Sequence, residues 1–220
     1  MTVVSIALRG EGAAPGPAHV VDLLCLDAGL RLGEATAVRW EDCSFGQDAT
    51  DEGRAMRIRA SHSRGKHLGK TKSGRERVVA MSRRLRAALL AFQLEQGRPE
   101  SGPIASVDHA NYRKRHFQKV CKAAKMSLAL KQDGSTRVRT PKDLRDTYAS
   151  QLLTAGIQLG YVSRQLGHSD VSITARHCAR WAGGDAYRSP LEVREGEVPA
   201  DLLSRLNEKS PQKSPQSSRA

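Results

Sequence analysis

The residues in this chain whose types and spacing could do chemistry are mostly basic. Lys142 and Arg145 lie three apart in Lys142-Asp143-Leu144-Arg145, so on a helix they share a face. Arg113, Lys114, Arg115 and His116 form an unbroken cationic run. Such a run suits a phosphate backbone; its plainer reading is a solvated helix face. His168, His177 and Cys178 are metal-ligating types, but the adjacent His177 and Cys178 point in different directions on a helix, so no metal is expected. Residues 65–71 (GKHLGKT) have some of the glycine and lysine pattern of a phosphate loop. The spacing is one residue short and the segment lies between strand patterns rather than before a helix, so no nucleotide cofactor is expected there. His62 and His67 read as exposed loop histidines. Cys25, Cys43, Cys121 and Cys178 are widely spaced with no CxxC pair, which excludes a zinc knuckle or disulfide framework and suits free thiols in a reducing cytoplasm.

Composition bounds the function class. The 220 residues carry 36 Lys+Arg against 23 Asp+Glu, a formal net charge of +13. That length suits one domain with a substantial core, and that surplus attracts polyanions, chiefly nucleic acid. Residues 1–17 lack a charged segment followed by an apolar one, so no signal peptide is read. No apolar run approaches the roughly 18 residues of a membrane span. A cytoplasmic protein without a membrane partner is expected.

These residues must be held by elements that the patterning outlines. Residues 10–17 (GEGAAPGP) read as part of a flexible lead-in over 1–17. Apolar spacing predicts a helix over 18–30 with Gly29 as its stop, then a short helix over 33–38. Met56, Ile58 and Ala60 alternate with polar residues as in a half-buried strand, and Val78, Val79 and Met81 suggest another, with Gly65, Gly69 and Gly74 in turns between. Ser82 can cap a helix to about residue 96 whose face is Leu85, Leu89 and Phe92. A helix over 108–126 carries the basic run. Thr140 can cap the next, with Pro141 at its first position and Asp143 near its N-terminus. Its buried face is Leu144, Tyr148, Leu152 and Leu153, ending at Gly156. Helices around 159–166 and 171–181 follow, the second capped by Ser169. Residues 183–206 form a polar C-terminal extension and 207–220 (NEKSPQKSPQSSRA) a disordered tail. Helices, then a small antiparallel sheet, then helices make an α+β fold over 18–182 rather than a βαβ one.

Four segments, in order, resemble one family. Residues 28–34 (AGLRLGE) with Val38-Arg39-Trp40 are similar to the GLRxGE…LxW segment of tyrosine recombinases, the phage-integrase family. Residues 72–79 (KSGRERVV) resemble its β-hairpin lysine segment, and residues 142–150 (KDLRDTYAS) its HxLRHTxAS box. Leu166-Gly167-His168, Thr174 and residues 177–181 (HCARW) resemble LGH…T…xYxxW. Any one is weak; four in order with suitable gaps are specific.

The resemblance implies a mostly helical recombinase catalytic core with a small antiparallel sheet. It implies double-stranded DNA as partner, a homo-oligomer on DNA, and neither metal nor nucleotide cofactor. Such enzymes cut one strand by attack on a phosphodiester, hold a covalent 3′-phosphoprotein link, then reverse the step on another strand. By resemblance Arg31 and Arg145 clamp the phosphate, Lys72 protonates the departing 5′ oxygen, and His168 donates to the phosphate. Lys142 stands where many members have His, and Glu34 and Asp146 brace the arginines. Arg113, Lys114 and Arg115 are candidate DNA contacts.

One position departs from the pattern. The family's tyrosine nucleophile falls four residues after Thr174, at Cys178. Tyr187 lies beyond Gly183-Gly184, and Tyr148 and Tyr161 read as packing residues. A thiolate is a strong nucleophile and a basic site favours it, but cysteine is shorter than tyrosine by most of a ring. Members usually carry an N-terminal DNA-clamping domain, whereas residues 1–17 alone precede the first helix here, as in a fragment or truncated relic. Two readings stay open: an integrase domain for strand cleavage and rejoining, and a non-catalytic DNA-binding module.

Overall fold

The computed structural model describes residues 16–63, 67–71, 74–131 and 134–182, Leu130 and the last six by their backbone. The expected lead-in (save its last two residues), C-terminal extension and tail lie outside the described residues, as does Lys72.

Helix α1 (Pro17–Asp27) is the centre of the molecule. Pro17 opens it, and every residue from Val20 to Leu26 is buried. A helix that is apolar nearly all round must be enclosed, and α3, α6 and the short α2 (Leu32–Ala35) pack round it; α3 is Arg83–Glu95 and α6 is Lys142–Thr154. Leu24, Leu30, Ile58, Val79, Leu85, Leu89 and Leu144 share one core; Tyr148, Ala149, Val162 and Leu166 form a second, smaller cluster. Among the described residues no helix is long and apolar enough to cross a membrane.

The strand region differs in detail from the expected single sheet. β1 (Cys43–Ser44), β2 (Ala55–Ile58) and β5 (Arg77–Ala80) form one antiparallel sheet in which Met56 faces both Cys43 and Val79. β3 (Ala60–His62) leaves it to pair with β4 (Leu68–Lys70) in a separate hairpin. The switch falls at Arg59, whose guanidinium turns outward to Asp42 (2.9 Å) and Glu41 (3.5 Å). Val78, Val79 and Met81 mark the strand expected here, and Val78 is 63% exposed. The period-2 alternation of β5 instead buries Val79 and turns Arg77 inward.

Beyond α3, capped by Ser82 as expected, α4 (His109–Asn111), a π-helical segment (Tyr112–Phe117) and α5 (Gln118–Ala123) form one continuous run. An unanticipated hairpin, β6 (Leu128–Leu130) with β7 (Thr136–Val138), follows; strands of three residues are too short to show a period. At α6 the Thr140 hydroxyl does not cap: Asp143 accepts the Thr140 N–H (2.7 Å) and hydroxyl instead. The chain closes with α7 (Leu159–Leu166) and α8 (Val171–Ala182), which pack on each other, and α8 also packs on α6. At the start of α8 the Asp170 carboxylate, rather than Ser169, accepts a backbone N–H, from Ser172 (2.8 Å).

The turn after α1 is set by Gly29. Its φ of +64° is left-handed, and a Cβ there would stand 2.4 Å from the Tyr148 ring. Left-handed strain costs a non-glycine residue about 1–2 kcal/mol, and overpacking about 1–3. Gly29→Ala is therefore expected to lower the unfolding free energy by about 2–5 kcal/mol, read from the urea midpoint.

Candidate active site

The first two residues after this turn begin the site. Arg31 enters α2, its backbone N–H donating to Glu34 Oε2 (3.0 Å) and its Nη1 to Glu34 Oε1 (2.8 Å). Glu34 has no exposed side-chain surface. A buried carboxylate needs compensation, and Arg77 supplies it from β5: Nη1 donates to Oε1 (3.1 Å) and Nη2 to Oε2 (2.7 Å). The Arg145 guanidinium of α6 stands 3.8 Å from the same carboxylate. Burial alone would raise the Glu34 carboxyl; hydrogen bonds and charge from Arg77 and Arg31 overcome it and hold the group down at about 2.

Arg145 is fixed from both flanks. Nη1 donates to Gly29 O (2.5 Å) and Nη2 to Leu166 O (2.6 Å), which ties the turn after α1 to the end of α7. Burial, with the like charge of Arg31 beside it, lowers its guanidinium to about 9, still cationic at neutral pH. Nη2 also approaches His168 Nε2 (3.2 Å), while His168 Nδ1 lies 2.7 Å from the hydroxyl of Thr174. A guanidinium only donates, so Nε2 accepts and the imidazole proton sits on Nδ1, facing Thr174. Before His168 can donate to an anion, it must therefore release Arg145. Gly167, just before His168, leaves room for Arg77: its φ is +65°, and a Cβ would press on the Arg77 side chain at 2.9 Å.

Three guanidiniums thus share one carboxylate within ion-pair distance. Two positive charges are left unmatched beside a histidine, and Arg31, the most open of the set, faces solvent. Such a cluster suits an oxyanion with several acceptor oxygens.

The sequence-predicted residues separate into groups. Arg31, Arg145 and His168 come together. Lys142 does not join them: its side chain is 63% exposed and its ammonium pairs with Asp146 (2.8 Å). Asp146 thus braces a lysine rather than an arginine; the shared helix face expected for Lys142 and Arg145 divides because one end of α6 is open to solvent. Lys72 and the side chain of Cys178 lie outside the described residues; the backbone of Cys178 is in α8. Arg113, Lys114 and Arg115 are exposed on the π segment, away from this cluster in the chain. Arg77 was missed, although its i,i+2 parity with Val79 marks it as inward. His62 is no loop residue: from β3 its Nδ1 lies 3.2 Å from the Thr36 hydroxyl, which His109 Nε2 also meets (2.9 Å).

The phage integrase family model matches residues 16–180, a span that holds all four segments but for Trp181. The chain belongs to the phage integrase family. Similar family relatives are an integrase/recombinase of Escherichia coli and one of Pseudomonas aeruginosa, each 42% identical over 67 residues. That stretch covers 30% of this chain and 20% of either relative. Among solved structures, the Tn1549 transposon integrase in complex with transposon right end DNA matches with a TM-score of 0.59 at 16% identity, covering 80% of this chain and 57% of that one. XerA recombinase matches with a TM-score of 0.57 at 16% identity, over 96% and 63%. The catalytic domain of bacteriophage HP1 integrase matches with a TM-score of 0.52 at 18% identity, over 93% and 90%. The fold of this integrase-family chain is accordingly that of a tyrosine-recombinase catalytic domain.

Proposed function

We propose that this chain is the strand-transfer domain of a site-specific DNA recombinase, acting on double-stranded DNA in recombination and integration. The observation that carries the reading is the surplus of two guanidinium charges beside His168, built round Glu34. The likeness to an integrase solved on transposon-end DNA supports duplex DNA as the ligand. In this reading Arg31 and Arg145 hold the non-bridging oxygens of the scissile phosphate, and His168 donates once Arg145 has turned to the phosphate. Lys72 gives its proton to the departing 5′ oxygen as the bond from phosphorus to the nucleophile forms. Lys142 adds charge at the rim, and Arg113, Lys114 and Arg115 contact the backbone. Copies assemble on the DNA, and no metal or nucleotide takes part.

Cys178 occupies the nucleophile's register and favours a second reading, a DNA-binding module that no longer cuts. A sulfur placed even about 1 Å wrongly costs around a hundredfold in rate. We therefore expect the native chain to form a covalent adduct with a nicked suicide duplex at least about 100-fold more slowly than Cys178→Tyr. Denaturing electrophoresis reads the adduct, with Cys178→Ala as the blank. A native adduct as fast as that of Cys178→Tyr, and absent in Cys178→Ala, would make the native thiol a working nucleophile. No adduct from any of the three would overturn the strand-transfer reading.

A further inference from the structure

Asp22 is a carboxylate at the centre of the core, fully buried on α1, and no role in the site above uses it. It has two donors, both from the π segment. The Tyr112 hydroxyl donates to Oδ1 (2.5 Å) and His116 Nε2 to Oδ2 (2.5 Å). The Tyr112 ring also stacks on His116 (centroids 5.6 Å) and Phe117 (6.4 Å).

These contacts explain the winding. An α-helix aligns a residue with those three and four positions on. It would bring His116 near Tyr112 but turn Phe117 away. Hydrogen bonds of i→i+5 type enlarge the turn and let positions 112, 116 and 117 face inward together. A buried carboxylate is costly without partners, so Asp22 rewards the winding that delivers both donors. The three residues between the anchors, Arg113, Lys114 and Arg115, are all exposed, and none has an ion-pair partner among the described residues.

We propose that Asp22 is a positioning residue for DNA contact: through Tyr112 and His116 it holds the π turn that presents Arg113, Lys114 and Arg115 as one cationic edge to the DNA phosphate backbone. The proposal rests on the reading of this chain as a binder of duplex DNA.

The salt dependence of binding to a short labelled duplex of mixed sequence tests it, because the slope of log K against log salt counts phosphate contacts and is insensitive to the fraction of chain folded. Replacing Arg113, Lys114 and Arg115 by alanine together is expected to make the slope shallower by about 2.7, at about 0.9 per contact. Asp22→Asn is expected to remove about 1–2 from the slope in the native background and nothing further in the triple-alanine background. A slope unchanged by Asp22→Asn, or one that falls equally in both backgrounds, overturns the proposal while leaving DNA binding intact. A triple-alanine slope equal to the native one shows that this run does not touch DNA, and overturns it as well. No salt-dependent binding by the native chain overturns the DNA reading itself. Should Asp22→Asn not fold, Tyr112→Phe takes its place: it keeps the ring packing, removes one donor, and is held to the same outcomes.

Discussion

Glu34→Gln is expected to lower stability by about 3–5 kcal/mol, the loss that follows when one partner of a buried charge network is removed. The amide fits the same space but removes the charge and turns one of the two acceptor oxygens into a donor facing Arg31 and Arg77. It leaves Arg77 and Arg145, both nearly enclosed, without the carboxylate that Arg31 also shares. For a domain of ordinary stability this is a large fraction of the total. Inorganic phosphate should raise the urea midpoint of Glu34→Gln more than that of the native chain, because the anion replaces the missing charge. No shift in either would show that the cluster is not an anion site. The same carboxylate sets a pH dependence. Its folded value of about 2 lies below the usual 4.5. Its contribution is therefore complete above about pH 4.5 and lost as pH falls towards 2, roughly 3 kcal/mol over that window. In Glu34→Gln that part of the acid unfolding should be absent, as seen by circular dichroism against pH.

Arg145→Lys is expected to slow adduct formation by about 10²–10³ in whichever of the native chain and Cys178→Tyr forms the adduct. The substitution keeps the charge and loses the fork. The two carbonyls Arg145 binds, Gly29 O and Leu166 O, belong to different elements and are reached by different nitrogens. An ammonium on a flexible stem cannot hold both and still face a phosphate. Single-turnover rates on the suicide duplex measure this. A rate within threefold of the parent would remove Arg145 from the phosphate clamp.

Much of the helical framework is legible in the amino-acid sequence. The helices at 17–27, 83–95, 142–154, 159–166 and 171–182 follow from apolar periodicity and from Gly29, Ser82 and Pro141 as punctuation. The order of the four segments was enough to mark Arg31, Arg145 and His168 as a set, because their types and gaps are unusual in combination. Short and switching strands were not legible. β2 and β3 look like one alternation in sequence yet pair with different partners, and β6–β7 is too brief to show any period. Lys142 stands apart from the cluster for a related reason: helical spacing puts it on the face of Arg145 but does not record where that face meets solvent.

By itself, then, the sequence determined the family and marked Arg31, Arg145 and His168 as residues of the types that serve a phosphate, since both are matters of type and spacing along the chain. Tertiary structure alone decided how the charges are shared. That Arg77 joins Arg31 and Arg145 on Glu34, that Arg145 is pinned between Gly29 and Leu166, and that Tyr112 and His116 of the π turn reach Asp22 all depend on contacts between segments tens of residues apart. Buried charge is the physical reason. A carboxylate enclosed at position 34 or 22 must find donors wherever the packing supplies them, and no local pattern records which element that will be.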